Sequence, residues 1–303
     1  MPKPDWSKGW YYNIEVEKGS FTDGIARKNL AITRKLLRNV DVQGKRCLDI
    51  GTTEAVIPVL LKRAGAETVV AYDRVDSSEK INLVKDTYKV NFDYVISPSL
   101  PDLQTLLTER GDDHKFFDLV VFSGVLYHLI NPLGLLALVR SFCKIGGLFL
   151  LETRAMHDAS VRLIFNEKGR HGHDYFSATT GWLDYALRMV GLEPLHAVFL
   201  GTLKEDRVGR LAVLCRSQRK PIPLDITDTF MPKQLKLLTD RSFNEAMRYD
   251  LADLLKTWAT MSVPRYDNTV ANMDGSPMYD AIGKIPPYSP MEDEMCLALD
   301  ATM

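Results

Sequence analysis

Short unbroken apolar runs alternate with stretches of helical spacing from residue 45 to residue 153. The runs are Cys47-Leu48 with Ile50, then 68–72, 92–96, 116–122 and 148–152. An apolar run without period-two alternation is the pattern of a strand covered on both faces, as in a parallel sheet. Helical stretches are predicted between the runs at 54–63, 81–88 and 103–110, and from Asn131-Pro132 to about residue 143, with Ile145-Gly146-Gly147 closing the last. This alternation predicts an α/β fold, a doubly wound sheet with helices on both faces. Ahead of it, Ile25, Leu30, Ile32, Leu36 and Leu37 form a helical stripe over 25–40. Behind it, Thr179-Thr180 opens a helix ended by Gly191. Two apolar strands near 195–200 and 211–215 then flank a turn at 201–209, so the core closes near residue 216.

Three segments fall outside this rhythm. Residues 1–24 form an aromatic arm with Trp6, Trp10, Tyr11 and Tyr12, in which Ile14 and Val16 alternate with glutamates. The arm either covers a core edge or acts as a lid. Residues 154–180 are polar and irregular, with His157, His171, His173 and Tyr175, as expected of a capping insertion on the ligand side. Residues 217–303 follow the boundary RSQRKPIP as an extension with one helical stretch, 241–259. Beyond it lies a Pro/Met/Tyr/Asp-rich stretch that packs on the core, mediates homo-oligomer formation or stays unordered. The expected organisation is arm 1–24, α/β domain 25–216 and extension 217–303.

Charge narrows the partners. With 38 basic and 39 acidic residues the formal net charge is −1, which gives no global attraction to nucleic acid or an anionic membrane. No apolar stretch is long enough to span a bilayer, and residues 1–10 lack a signal peptide's apolar region. Cys47, Cys143, Cys215 and Cys296 are widely spaced and read as reduced thiols. A cytoplasmic location is expected.

Candidate chemistry begins at KRCLDIGTTEAVIPVLLKRAGAETVVAYDR, residues 45–74. Strand, glycine turn, helix, strand and terminal acid make a nucleotide-cofactor unit. Gly51 permits close backbone approach, and Asp73 stands where a carboxylate accepts ribose hydroxyls. The turn continues Thr52, Thr53, Glu54, Ala55 without the glycines a pyrophosphate requires, which disfavours NAD. Asp49 suits a ligand bearing positive charge. Ligands of such sheets sit at the carboxyl ends of the strands, so residues after Ile50, Tyr72, Ile96, Phe122 and Leu151 should share one crevice.

LDIG at 48–51, Asp73, FDLVVFSGVLYHLINP at 117–132 and IGGLFLLET at 145–153 together resemble the class I S-adenosylmethionine-dependent methyltransferases over about residues 20–216. The arm sequence WYYNIEVEKGSFTDG is similar to that of a bacterial subgroup related to tRNA wobble-uridine carboxymethyltransferases. The resemblance implies a Rossmann-like seven-stranded sheet and S-adenosyl-L-methionine as cofactor. It implies Asp49, Gly51 and Thr52 at the methionine part, Asp73 at the ribose, and Arg74, Ser99 and Leu100 at the adenine. Ser123, Gly124 and Val125 would pass beneath the sulfonium, with Tyr127 and His128 nearest the methyl group.

His128 is the candidate general base, against a histidine bonded to backbone; Tyr127 either orients substrate or packs. Glu152 and Arg154, with Trp10, Tyr11 and Tyr12 of the arm, are the candidate substrate-binding residues. The H-x-H pair His171 and His173 lacks a companion set of ligands, so no metal is expected. Three functions are open. A small-molecule methyltransferase leads, a tRNA-modifying enzyme using the ordinary or carboxylated cofactor comes second, and a non-catalytic binding module third.

Overall fold

The computed structural model describes residues 6, 9–109, 116–158, 160–165, 174–201, 208–217 and 295–303. The elements are β1 (Glu15–Glu17), β2 (Ser20–Phe21), α1 (Arg27–Leu37), β3 (Arg46–Ile50), α2 (Val56–Arg63), β4 (Thr68–Asp73) and α3 (Ser78–Tyr88). After these come β5 (Asp93–Ile96), α4 (Leu100–Glu109), β6 (Phe117–Ser123), a 3-10 turn (Leu126–His128), α5 (Pro132–Ser141) and β7 (Cys143–Met156). The series ends with β8 (Leu163–Phe165), β9 (Phe176–Thr179), α6 (Thr180–Met189), β10 (Leu192–Leu200) and β11 (Val208–Ser217).

The apolar runs become central strands because both of their faces are covered. In β6, Phe117, Val120 and Phe122 pack into one core while Leu119 and Val121 pack into the other. β4 divides the same way, Val70 and Tyr72 against Val69 and Ala71. The first core lies under α4, α5 and α6, the second under α1, α2 and α3. Two helix starts are capped as their residues suggest: Asn131 accepts from the Gly134 N–H at 3.1 Å ahead of Pro132, and Thr179 accepts from Trp182 at 3.1 Å.

The strand order is β10-β11-β7-β6-β3-β4-β5. Pairs β7/β6, β6/β3, β3/β4 and β4/β5 are parallel, whereas β11 is antiparallel to both β7 and β10. The chain winds outward in one direction from β3 through β4 to β5 and in the other from β6 to β7. The switch point therefore lies between β3 and β6, where open α/β sheets bind ligands.

Four expectations need revision. The sheet is larger than seven strands, since β9 pairs with β7 and β8 with β9. The insertion is accordingly not irregular throughout: its described part adds these two strands to the sheet. Gly146-Gly147 lies inside β7 instead of ending a helix, because Gly146 takes φ +80° and the β6/β7 register jumps from Phe117↔Cys143 to Leu119↔Leu148. Helix α4 starts at Leu100, since Pro101 is tolerated in a first turn.

Segment 295–303 closes against the arm. Leu297 is fully buried and bridges Ile14; its N–H donates to Asn13 O at 2.9 Å and its carbonyl accepts from Glu15 N at 2.8 Å. Arg34 Nη1 donates to Cys296 O at 2.8 Å, and Tyr88 donates to Leu297 O at 2.7 Å. The helical stretch expected at 241–259 and the pair His171 and His173 lie outside the described residues. Among the described residues no helix is long and apolar enough to cross a membrane.

Candidate active site

A cavity of about 480 Å³ opens at the carboxyl ends of β3, β4, β6 and β7. Its floor follows from the turn after β3. Gly51 has φ +81°, and a Cβ there would collide with Val125 Cγ2, so only glycine lets the two strand ends approach. The N–H groups of Gly51 and Thr52 donate to Tyr72 O at 2.9 and 3.0 Å. Thr53 (φ +52°) and Ala55 (φ +59°) also lie in the left-handed region, where glycine would be unstrained. Asp73 Oδ2 accepts from Thr53 N at 2.8 Å, and Oδ1 accepts from Val75 N at 3.1 Å. Those bonds fix the carboxylate on the cavity wall, between Tyr72 and Arg74.

Beneath the floor, Asp49 is 2% exposed and its Oδ2 has no hydrogen-bond partner. Burial pushes its carboxyl up to about 7, Thr52 opposes that and the Asp73 charge adds to it.

The opposite wall is a buried polar chain. Glu152 receives Nε and Nη2 of Arg210, the second at 2.8 Å, and Ser123 Oγ at 3.1 Å. Ser123 Oγ in turn lies 3.0 Å from Thr33 Oγ1. The Arg210 guanidinium sits 5.4 Å from the Tyr127 ring centroid and reaches its hydroxyl at 3.4 Å. Burial opposes the Arg210 charge, but the Glu152 carboxylate outweighs it and holds arginine firmly protonated. Burial raises the Tyr127 phenol, so it stays neutral. At the rim, His128 Nδ1 lies 3.4 Å from Asp174 Oδ1, and Asp174 also pairs with Arg154.

The arm forms the roof. Tyr11 and Tyr12 line the cavity, with their rings edge to face at 5.0 Å, and Asn29 Nδ2 of α1 donates to the Tyr11 hydroxyl at 3.1 Å. Burial first, and the Tyr11 hydroxyl second, drive the Tyr12 phenol well above its usual range.

A family model described as a methyltransferase domain matches residues 25–196, more than half of the chain. The chain belongs to that family. Its LDIG turn, Asp73 and strand order are those expected of the class I S-adenosylmethionine-dependent methyltransferases. Among curated proteins it is 29% identical over 175 residues to the tRNA U34 carboxymethyltransferase of Pseudomonas aeruginosa, covering 56% of this chain and 52% of that one. The Pseudomonas paraeruginosa protein of the same name is 27% identical over 173 residues. The chain spans about half the length of the curated relatives it matches. Among solved structures, the N-terminal domain of EvdMO1, crystallised in the presence of SAH and D-fucose, superposes with a TM-score of 0.51. It is 19% identical over 69% of this chain and 91% of that one, a likeness of fold.

Most of the expected methyltransferase residues meet in one place. Gly51, Asp73, Arg74, Ser99, Leu100, Ser123, Gly124, Val125, His128, Glu152, Tyr11 and Tyr12 all line the cavity. Asp49, Thr52, Tyr127, Trp10 and Arg154 do not; they stand behind the wall and act on it through neighbours. Asn29, Leu135 and the partner Arg210 escaped the sequence reading, whereas Tyr175 and Asp174 fall in the segment read as a capping insertion and Thr53 and Glu54 in the turn read only as a departure from the glycine pattern. Glu54 was visible only as part of the turn Thr52 to Ala55, which lacks further glycines.

Proposed function

We propose that this chain transfers a methyl group from S-adenosylmethionine to a small hydroxylic or amino acceptor. The acceptor would be bound between His128, Tyr175 and the arm tyrosines. The observation that carries this reading is the composition of the cavity. Arg74 is the sole lysine or arginine among its described lining residues, and it stands beside Asp73 at the cofactor's nucleoside end. A volume of about 480 Å³ under a tyrosine roof suits small ligands.

The residues present fit the cofactor. Asp73 would take the ribose hydroxyls, Gly51 gives the backbone approach its Cβ-free turn needs, and Asp49 contributes latent negative charge beneath the methionine part. When bound, the cofactor supplies an electrophilic methyl group on a sulfonium. Glu152 and the tyrosines favour that positive charge through their carboxylate and ring faces. A carboxylated donor would instead bring its extra carboxylate towards Glu152, whose arginine partner is already committed. This argues for methyl over carboxymethyl transfer.

His128 would accept the acceptor's proton. With Nδ1 facing Asp174, Nε2 would receive it as the acceptor's lone pair bonds to the methyl carbon, the electron pair of the broken sulfur–carbon bond staying with sulfur as a neutral thioether. Holding the reactants aligned and dry supplies much of the remaining acceleration. Buried free thiols at Cys47, Cys143 and Cys215 fit a reducing compartment and support a cytoplasmic location.

The test is incubation with methyl-labelled S-adenosylmethionine, against a panel of phenols, hydroxy acids and amines on one side and bulk tRNA on the other. Label in small molecules supports the reading, and label in tRNA overturns it. On the acceptor found, His128→Gln should lower kcat by about 10²–10⁴-fold and leave cofactor affinity nearly unchanged. Equal turnover would remove the base.

A further inference from the structure

The turn that departs from the glycine pattern holds the roof. Glu54, 1% exposed, sits in that turn and points its carboxylate at the arm instead of the cavity. Its Oε1 accepts from Tyr11 N at 2.8 Å, and its Oε2 accepts from Tyr11 N at 3.0 Å and Tyr12 N at 2.9 Å. Lys80 Nζ of α3 closes the group, pairing with Glu54 Oε1 at 2.9 Å, donating to Gly9 O and lying 5.0 Å from the Trp10 ring centroid. The neighbouring residue of the same turn, Thr53, donates its N–H to Asp73. Four consecutive residues, Gly51 to Glu54, thus contact the cavity floor, the ribose-side carboxylate and the roof.

We infer that Glu54 is a positioning residue that docks Tyr11 and Tyr12 over the cofactor cavity, with Lys80 as its counter-charge. The assignment rests on the cofactor reading given above. Chemistry selects this use of the carboxylate. A buried anion is tolerated only when its oxygens are satisfied, and here two backbone N–H groups and one ammonium satisfy them. Both N–H donors belong to consecutive residues whose side chains line the cavity, so the clasp sets the position of the roof without itself touching a ligand. Other bonds fix the arm's return path: Ala26 N donates to Tyr11 O at 2.9 Å and Thr22 Oγ1 to Tyr12 O at 2.7 Å. Loss of Glu54 should therefore free the roof locally and leave the arm attached.

Residue-resolved hydrogen exchange on the full chain, with titration of S-adenosylhomocysteine, tests this. In Glu54→Gln an amide nitrogen replaces one acceptor oxygen and opposes the arm's donors. Exchange at the Tyr11 and Tyr12 amides should rise about tenfold or more, while β3 to β7 keep their protection. S-adenosylhomocysteine affinity should fall about five- to fiftyfold on the same scale. Lys80→Met keeps the clasp but removes its counter-charge, so both effects should recur at smaller size; it decides the matter if the Glu54 variant does not fold. Unchanged exchange at Tyr11 and Tyr12 overturns the clasp. Faster exchange with unchanged affinity overturns its positioning role. Failure of the cofactor reading looks different: the wild-type chain would not bind S-adenosylhomocysteine, while the amide exchange would still report the clasp.

Discussion

The floor of the cavity comes from consecutive strand–turn units within residues 46–156, whereas its roof comes from residues 9–26 braced by residues 295–303. Each floor contact joins neighbouring strands of the parallel sheet, such as Gly51 N to Tyr72 O or Gly124 N to Glu152 O. Roof contacts join parts of the chain that the whole sheet separates, among them Leu297 with Ile14 and Cys296 with Arg34. Local chemistry is enough to shape the floor, because a glycine turn and a terminal acid impose their geometry wherever the strand ends. The roof depends on long-range docking: the aromatics at 10–12 mark the arm as a lid candidate, but nothing local to it fixes where it docks.

Removal of the brace would test this contrast most severely. Leu297 is fully buried against the arm and the second core, so Leu297→Ala should destabilise the chain by about 2–5 kcal/mol, the range for buried leucines. Urea unfolding measures the loss. A change below about 1 kcal/mol would mean that segment 295–303 merely rests on the surface.

Legibility followed the same division. The apolar runs foretold β3 to β7 because central parallel strands must be apolar on both faces, and Gly51 and Asp73 foretold the floor. Arg210 could not be placed from sequence, since its pairing with Glu152 depends on the antiparallel register of β11 on β7. Leu297 could not be placed either: it lies in a stretch without periodicity, and one bridge and a few backbone bonds fix it. The strands β8 and β9 escaped because they are short and join the sheet only at the end of β7 beyond β6, with polar residues between them. Glu54 was visible, but read as a departure from the glycine motif its role in the roof was hidden.

The floor should reveal itself through pH. Burial raises Asp49 to about 7 and Asp184 to about 6. Both folded values lie above the usual unfolded value near 4. Between pH 4 and 7 the folded chain therefore binds more protons than the unfolded one, so stability falls as pH rises through that window. Asp49 alone should contribute on the order of 3 kcal/mol of that decline. Asp49→Asn should flatten the slope in urea midpoints measured across this range. An identical slope in both proteins would show that Asp49 ionises normally in the folded state. A buried carboxyl oxygen without a partner is tolerated better when Asp49 is protonated, and a cationic ligand above it would favour release of the proton.

The smallest effect lies where floor meets roof. Thr53 holds φ +52°, a conformation that costs a residue bearing Cβ about 1–2 kcal/mol, and its hydroxyl recovers only a 3.3 Å contact with Gly51 O. Thr53→Gly should remove that strain while adding about 0.5–1 kcal/mol of chain entropy to the unfolded state. A net gain of about 0.5 kcal/mol in thermal or urea stability is expected. The Thr53 N–H and the Glu54 carboxylate both survive the change, so Asp73 and the arm should keep their contacts and amide exchange at Tyr11 should not move. A loss of 1 kcal/mol or more would show instead that the threonine side chain holds the turn. In that case floor and roof would share a rigid joint fixed by side-chain packing, where the present geometry describes a strained turn held from both ends by Asp73 and the arm.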